Sequence, residues 1–453
     1  MLKSFPSYQI LLRRTPTPLR LTSGLALMVL LATAALMLPF VGQSRPLSLN
    51  EALFTAVSAL TVTGLSIITP SKDLSLLGQI LLMVLIQIGG VGYMVIAVVV
   101  FRLLGRNISL ADRLALRDSF GLLDMNAILR LTQRTLAAVL LIELTGAVLL
   151  WFHWRTQLGD AQAAFYAVFH AVSAFCNAGF DLFSGMAGFN GIPNDTVTLT
   201  ILGSLIVIGG LGIPVIADLL LVWRRSRKHL SLHSRLTLLT SAFLVVTGAL
   251  GLFLAERQPT GTLVGLPTSR AWVIAVFQSI SARTAGFSSI DNFYDLSPAS
   301  QLLKITLMFI GTAPASMGGG ITTSALAALV LGLWAFARGR ETPHIFGRSL
   351  GTATLRRASA VLTVSLLVIT SVTWILLLTH PGAPFDHVLF EVVSAFATCG
   401  LSLGYTSRLS LFGQFVICLV MFWGRLGALT IIMALAQLAP PRLLSYPEEQ
   451  ILV

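Results

Sequence analysis

Four times along 453 residues, a short polar turn carrying a glycine interrupts strongly apolar sequence. The turns are Thr61-Val62-Thr63-Gly64-Leu65-Ser66, Cys176-Asn177-Ala178-Gly179-Phe180-Asp181, Arg283-Thr284-Ala285-Gly286-Phe287-Ser288 and Ala397-Thr398-Cys399-Gly400-Leu401-Ser402. Their glycines stand 115, 107 and 114 residues apart. Non-helical backbone is tolerated at membrane depth only where protein buries it or water fills a cavity beside it. Four such turns at a near-constant period predict four loops meeting on one axis. Such loops can offer backbone carbonyls to a dehydrated cation.

Membrane depth follows from composition. Hydrophobic residues make up 55% of the chain and charged residues 11%, with a mean hydropathy of +0.86. No ordinary soluble domain has this balance. The first apolar run, 21–40, is long enough to span and lacks a small-residue cleavage site, so it reads as a retained helix rather than a signal peptide. The net charge of +12 is unevenly spread, with 21 of 30 basic residues in five places: the N-terminus, 102–134, 224–235, 338–357 and Arg442. Every second hydrophilic segment is basic, which places those segments and both termini in the cytoplasm. The clusters abut apolar runs and lack interleaved aromatics, which argues against nucleic-acid binding. Cys176, Cys399 and Cys418 form no CxxC pair and have no histidine at metal spacing, so they read as small apolar fillers.

The repeat is larger than the turn. A short segment precedes each glycine: Phe54-Thr55-Ala56-Val57-Ser58-Ala59, Phe169-His170-Ala171-Val172-Ser173-Ala174, Phe277-Gln278-Ser279-Ile280-Ser281-Ala282 and Phe390-Glu391-Val392-Val393-Ser394-Ala395. Each is too short to span and suits a re-entrant pore helix. A second apolar run follows each turn, with a glycine at matched depth: Gly89, Gly209, Gly311 and Gly424. The expectation is an all-α polytopic membrane protein of four tandem helix–pore-loop–helix units around a pseudo-fourfold pore. The units are 21–101, 135–223, 236–337 and 358–438. Cytoplasmic segments occupy 1–20, 102–134, 224–235 and 338–357, with a tail at 439–453. Outer helices fall near 21–40, 135–153, 236–255 and 358–379. Inner helices fall near 74–101, 198–223, 300–337 and 410–438, giving eight spans. The third inner helix alone reads as broken, because Pro314 removes a donor and Gly318-Gly319-Gly320 is poor helix sequence.

These features together resemble the Trk/Ktr/HKT superfamily of potassium transporters over nearly the whole chain. The resemblance rests on the four turns, on Ala315-Ser316-Met317-Gly318-Gly319-Gly320-Ile321 and on Gly424-Arg425-Leu426-Gly427. The start at the first outer helix and the closing Tyr446-Pro447-Glu448-Glu449 look most like the Ktr membrane subunit. The resemblance implies potassium uptake across the cytoplasmic (inner) membrane, a homodimer, and a cytosolic nucleotide-binding regulatory ring as partner. It brings K+ as the transported ion, Na+ as a candidate activator and no organic cofactor. Thr322 stands where many relatives carry a basic residue, and Asp181 where they often carry a hydroxyl.

Glycine adopts backbone angles other residues avoid, so Gly64, Gly179, Gly286 and Gly400 are the expected filter positions. Val62, Thr63, Asn177, Ala178, Thr284, Ala285, Thr398 and Cys399 would lend K+ their carbonyls. One glycine per turn suggests few ordered ion sites and modest discrimination. The expected gate comprises Ala313, Pro314, Ala315, Ser316, Gly318, Gly319, Gly320, Thr322 and Arg425. Arg425 is a charge mid-helix, at the repeat position of Gly90, Gly210 and Thr312, and is expected to face the pore. Glu143 reads as a packing carboxylate and Asp218 as an interfacial one. His170 and Glu391 share an offset with Thr55 and Gln278 and read as braces of the filter. Asp181, Asp291 and Asp386 are candidates for a cation-attracting outer mouth. Arg113, Arg117, Arg227 and Arg348 are candidate contacts for the regulatory partner, and lipid headgroups compete for such residues.

No HExxH, GxSxG or paired intramembrane aspartates support an enzyme. A coupled secondary transporter, moving K+ with Na+ or H+, is the alternative. The units share one order and orientation, which disfavours inverted repeats.

Overall fold

A computed structural model describes residues 17–92, 125–186, 189, 191–224, 229–290, 293–340 and 342–427. The first repeat comprises α1 (Thr17–Leu36), α2 (Leu49–Leu60) and α3 (Leu76–Val91). The second comprises α4 (Met125–Leu158), α5 (Asp160–Phe175), α6 (Thr196–Leu211) and α7 (Ile213–Trp223). The third comprises α8 (Leu232–Glu256), α9 (Thr268–Ser281), α10 (Pro298–Phe309) and α11 (Thr323–Ala337). After a two-residue hairpin, β1 (His344–Ile345) with β2 (Arg348–Ser349), come α12 (Thr352–Thr379), α13 (Phe385–Phe396) and α14 (Leu411–Leu426). The protein is thus all-α and polytopic apart from that hairpin.

Local sequence explains where the inner helices begin. Ser75, Asp195, Ser297 and Ser410 stand at one repeat position, and each side chain accepts the N–H three residues on, from Gly78, Thr198, Ser300 and Gly413. An N-cap of this kind satisfies a backbone donor the helix leaves orphaned. The short helices α2, α5, α9 and α13 run 12–16 residues and cannot cross a bilayer at about 1.5 Å per residue. They are the core. Phe54, Phe169, Phe277 and Phe390, the residues that open the repeated segments, are all fully buried. The long helices instead expose leucines and phenylalanines such as Leu30, Leu141, Phe243 and Leu367, as a lipid-facing layer does.

The order closes on itself. α3 packs against α5, α6 against α9, α10 against α13, and α14 against α2. Each inner helix therefore supports the short helix of the next repeat.

Among the described residues, three helices are long and apolar enough to cross a membrane: Leu136–Leu158, Leu232–Glu256 and Thr352–Thr379. The pair α6 and α7 makes a fourth if taken together, but it is bent by 98°. The second inner helix is therefore not continuous over 198–223, and the third is not the only one broken. Gly212 adopts φ +82°, and Pro214 in the first turn of α7 has no N–H to continue the α6 ladder. α3 and α14 likewise stop at Gly92 and Gly427, with φ +93° and +79°. In the third repeat residues 310–322 are non-helical apart from a bridge between Ile310 and Ile321. α4 begins at Met125, inside the stretch expected as a cytoplasmic linker. Asp291, Arg113, Arg117, Arg227, Arg442 and the tail from 439 lie outside the described residues.

Candidate functional site

The glycine of each loop touches the next loop. A Cβ added to Gly64 would collide with the carbonyl oxygen of Ala178, one on Gly179 would lie 2.7 Å from that of Ala285, one on Gly286 would collide with that of Cys399, and one on Gly400 with that of Thr63. The same added atoms would lie 3.0–3.2 Å from the Cα of the next glycine. The four loops thus form a closed ring, Gly64 to Gly179 to Gly286 to Gly400 and back, with no room for a side chain at any of the four contacts.

The ring is held in unusual backbone. Val62, Asn177, Thr284 and Thr398 have φ of 56°, 57°, 70° and 49°, and the four glycines lie between 69° and 93°. Left-handed backbone is a marked outlier for the β-branched Val62, Thr284 and Thr398. Strain of this sort costs about 1–3 kcal/mol per residue and persists only where surroundings enforce it. The short helices do the enforcing. Thr63, Ala178, Gly286 and Cys399 donate backbone N–H groups to the carbonyls of Ser58, Ser173, Ser281 and Ser394, at 2.7–3.2 Å. The same serines act again through their hydroxyls. Ser58 and Ser394 accept from Gly64 and Gly400 N–H at 3.1 Å, while Ser173 and Ser281 donate to the Phe180 and Phe287 carbonyls at 2.8 and 2.6 Å.

A second set of ties reaches from mid-helix to the chain leaving each loop. His170 Nε2 lies 3.0 Å from Asp181 Oδ1, and Gln278 Nε2 donates to Ser289 Oγ at 3.1 Å. Glu391 Oε1 accepts from Ser402 Oγ at 2.6 Å and from Leu403 N–H at 2.9 Å. The matching Thr55 hydroxyl is buried and finds no partner. Outside the ring opens a cavity of about 300 Å³, lined by the four glycines together with Ser66, Asp181, Ser288 and Ser402. Asp181 is the only one of these loop-end residues with a carboxylate. Asp386 lies apart from the cavity, exposed in the first turn of α13.

Inside the ring lies the 310–322 segment. A Cβ on Gly318 would collide with Thr284 Oγ1, and one on Gly319 would lie 2.6 Å from Thr398 Oγ1. Those glycines let the segment press against loops three and four. The broken second inner helix anchors it. Pro214 leaves the Gly210 carbonyl without its helical donor, and Ala313 N–H supplies one at 3.2 Å; Met317 N–H donates to Gly209 at 3.4 Å, and Ile213 N–H donates to Ala315 at 3.2 Å. Arg425 closes the other side, donating to the carbonyls of Met317 and Gly89 and, at 3.3 Å, of Gly90. One guanidinium thus joins α14, the C-terminal turn of α3 and the loop. Ser316 and Thr312 hydroxyls meet at 2.7 Å, and Ala315 carries φ +55°. Thr322 is the N-cap of α11, accepting Ala325 N–H at 3.3 Å.

Sequence reasoning assigned no role to two buried cations. Arg283, 7% exposed, donates to the Gly311 carbonyl at 3.2 Å and to the backbone and hydroxyl of Ser241. Lys304 is wholly buried in α10. The signal for Arg283 was its place in the third turn, where the other turns begin with Thr61, Cys176 and Ala397. The cysteines are buried, but two are more than filler. Cys176 Sγ lies 3.7 Å from Glu143 Oε1, whose other oxygen accepts from Gln87 at 3.1 Å, and Cys399 Sγ lies 3.5 Å from the Ala282 carbonyl. Glu143 is thus a hydrogen-bonded packing carboxylate, and Asp218 accepts Ser231 N–H at 2.7 Å near the inner end of α7.

A family model described as TrkH, cation transport protein, matches residues 25–445. The Ktr system potassium uptake protein B of Vibrio alginolyticus is 38% identical over 425 residues, covering 94% of this chain and 92% of that protein. The potassium/sodium uptake protein NtpJ of Enterococcus hirae is 33% identical over 97% of this chain and 98% of its own length. The crystal structure of the potassium transporter TrkH from Vibrio parahaemolyticus shares the fold, with a TM-score of 0.68 and 20% identity over 91% of this chain and 85% of that one.

Proposed function

The chain belongs to the TrkH family of cation transport proteins, and from that membership and the ring of loops we propose how it works. It is the channel-like, ion-translocating subunit of a Ktr/Trk-type potassium uptake system in the cytoplasmic membrane, and it is not an enzyme. Four helix–loop–helix units surround a pseudo-fourfold pore whose narrowest outer part is the glycine ring. Carbonyls of Val62, Thr63, Asn177, Ala178, Thr284, Ala285, Thr398 and Cys399 replace the hydration shell of K+ there, without burying a countercharge. The observation that carries this reading is the cyclic contact of each glycine with the carbonyl that precedes the next glycine.

The 310–322 segment is the gate of this reading. It lies against the inner face of the ring and is fixed by a few hydrogen bonds to helix ends that need donors anyway. Packings of such a segment can differ by only a few kcal/mol. Arg425 holds the closed arrangement, and its charge opposes cations entering from the cytoplasmic side. A homodimer and a cytosolic nucleotide-binding ring complete the system, and partner binding moves the gate. Arg348, at the β1–β2 hairpin, is a contact candidate on the cytoplasmic side. Na+ activation is part of the same reading, in keeping with the potassium/sodium name of one relative.

The test is potassium flux in proteoliposomes with no proton or sodium gradient. Flux that follows the potassium gradient alone supports a channel. Flux that appears only when a proton or sodium gradient is imposed replaces this reading with coupled transport.

A further inference from the structure

Lys304 breaks a pattern that the other three repeats keep. It stands seven residues before Gly311, and the residues seven before Gly89, Gly209 and Gly424 are Leu82, Leu202 and Ile417. All four side chains are fully buried. Three are aliphatic, as a helix packed among helices requires, and the fourth is a lysine.

Its direct contacts are uncharged, and the buried Glu256 carboxylate acts on it only at longer range. Among the described residues no carboxylate lies within salt-bridge distance of Lys304. Nζ donates to Gln278 Oε1 at 2.6 Å and lies 4.7 Å from the centre of the Phe293 ring. Taking an ion from water is costly unless it is paired, and ionisable residues within membrane proteins cluster where function needs them. Aliphatic packing evidently suffices at this position in the other repeats, so structure alone does not call for a lysine.

Position says what the charge does. Gln278 is the mid-helix residue that ties α9 to the chain leaving loop three, through Ser289. The ammonium accepts no hydrogen bond, so it forces the amide oxygen of Gln278 toward itself and the amide nitrogen toward Ser289. α10 also packs on α13, and Cys399, whose carbonyl meets Gly286, is within electrostatic reach of Lys304. The charge therefore lies behind the junction of loops three and four.

We propose that Lys304 is a specificity-determining positioning residue of the glycine ring: it orients the Gln278 brace of loop three and, when protonated, places a positive charge behind the ring that weakens cation binding there. The proposal rests on the ring being the filter. Weak binding serves conduction, because an ion must leave the site as readily as it enters. Repeat three is thus the one that sets how loosely K+ is held.

The experiment measures half-saturating potassium, maximal flux and sodium competition, per correctly assembled protein, for Lys304→Leu, Gln278→Glu and the reference Gly286→Ser. Lys304→Leu copies the residue type of the other repeats. Gln278→Glu copies Glu391 at the same helix offset and neutralises the lysine without removing it. Both are expected to lower half-saturating potassium by roughly threefold to tenfold, the range for one unit charge acting across partly screened protein, and to lower maximal flux. Lys304→Leu alone is also expected to weaken discrimination against sodium, since it frees the Gln278 amide. A purely structural lysine would instead reduce assembly or thermal stability and leave half-saturation unchanged in both variants. That outcome overturns the proposal, and if Gly286→Ser still alters selectivity the filter reading survives it. If Gly286→Ser also leaves selectivity unchanged, the filter reading fails and takes the proposal with it. Should Lys304→Leu not assemble, Gln278→Glu decides alone.

Discussion

The outer and inner halves of this molecule treat their fourfold repeat in opposite ways. On the outer side four loops meet as near equals: a left-handed residue, a carbonyl and a glycine in each, tied by a serine at the end of a short helix. Just inside, the same repeat position ends a helix at Gly92, bends one by 98° at Gly212, opens a non-helical segment at 310–322 and places Arg425 beside Gly427. An ion site built of carbonyls needs equal contributions from all sides, because any unequal loop changes the cavity the ion occupies. A switch needs the reverse. Four equivalent breaks would share no single element that moves, whereas one long segment pinned by its unlike neighbours can move as a piece.

The sharpest way to break this comparison is to place a side chain in the ring. Serine at Gly64, Gly179, Gly286 or Gly400 meets both a positive φ and a neighbouring backbone carbonyl. Left-handed backbone alone costs an L-residue roughly 1–2 kcal/mol. Each substitution is expected to reduce potassium over sodium selectivity about tenfold or more, as 1.4 kcal/mol is a factor of ten. Competition uptake measures it. Equivalence predicts similar losses at all four glycines, and a normal selectivity at every one of them refutes the ring as filter.

A somewhat smaller effect, of opposite sign, is expected from the inner half. Arg425→Ala removes the donor to Met317, Gly89 and Gly90, and deletion within 315–320 removes the segment that presses on Thr284 and Thr398. A hydrogen bond from a charged group contributes about 1.5–3 kcal/mol. Potassium flux per assembled protein should therefore rise about tenfold with selectivity retained. Well-folded variants with wild-type or lower flux would refute the gate.

The outer half was far more legible in sequence than the inner half, and the reason is physical. A polar turn within apolar sequence stands out, because membrane depth forbids it unless it is buried. Gly64, Gly179, Gly286 and Gly400 announce themselves in this way. Gly92, Gly212 and Gly427 do not, since a glycine in an apolar run equally marks close helix packing. Only the proline and three glycines of 314–320 were enough to read a break. Pro214, two residues after Gly212, carried the same message for the second inner helix. Arg425 was legible as a lone charge, yet its carbonyl partners on α3 depend on how the last turn of that helix meets α14. Lys304 needed the repeats to be aligned by their glycines before its three aliphatic counterparts could expose it.

Thr322 gives a milder test of the inner half. It stands at the end of the 310–322 segment, and the structure uses it to cap α11. Thr322→Ala is expected to cost about 1 kcal/mol of stability, the usual value of such a cap. Thermal unfolding in detergent checks this. Potassium selectivity should not change, because the Thr322 hydroxyl is engaged with Ala325 N–H of α11, whereas the contacts to the ring loops are made at Gly318 and Gly319. A selectivity change would mean that the two halves are less separable than the comparison holds.

The smallest expected effect concerns the one place where the outer half is unequal. The short helices are alike at their loop ends but differ at their starts. α2 alone begins with a capping box, Ser48 with Glu51, and Glu51 also pairs with Arg45 at 2.6 Å. The Arg45 hydrogen bond, opposed by partial burial and aided by Ser48, lowers the Glu51 carboxyl from its ordinary 4.5 to about 2. A carboxyl depressed in the folded state stabilises it above the unfolded value and loses that contribution as pH falls through the folded value. The stabilisation should thus be complete at pH 7, decline below about pH 4.5 and be gone below pH 2. The Arg45 side chain is 63% exposed, so solvent screening keeps the contribution of the pair small. Glu51→Gln should lower thermal stability slightly at pH 7 and show less difference from wild type at pH 3. A difference between the two proteins that grows on acidification would mean that the start of α2 is held by something other than this pair. If Glu51→Gln instead alters ion selectivity, the start of a short helix is coupled to its loop end. The equality of the four loops would then depend on how each helix begins.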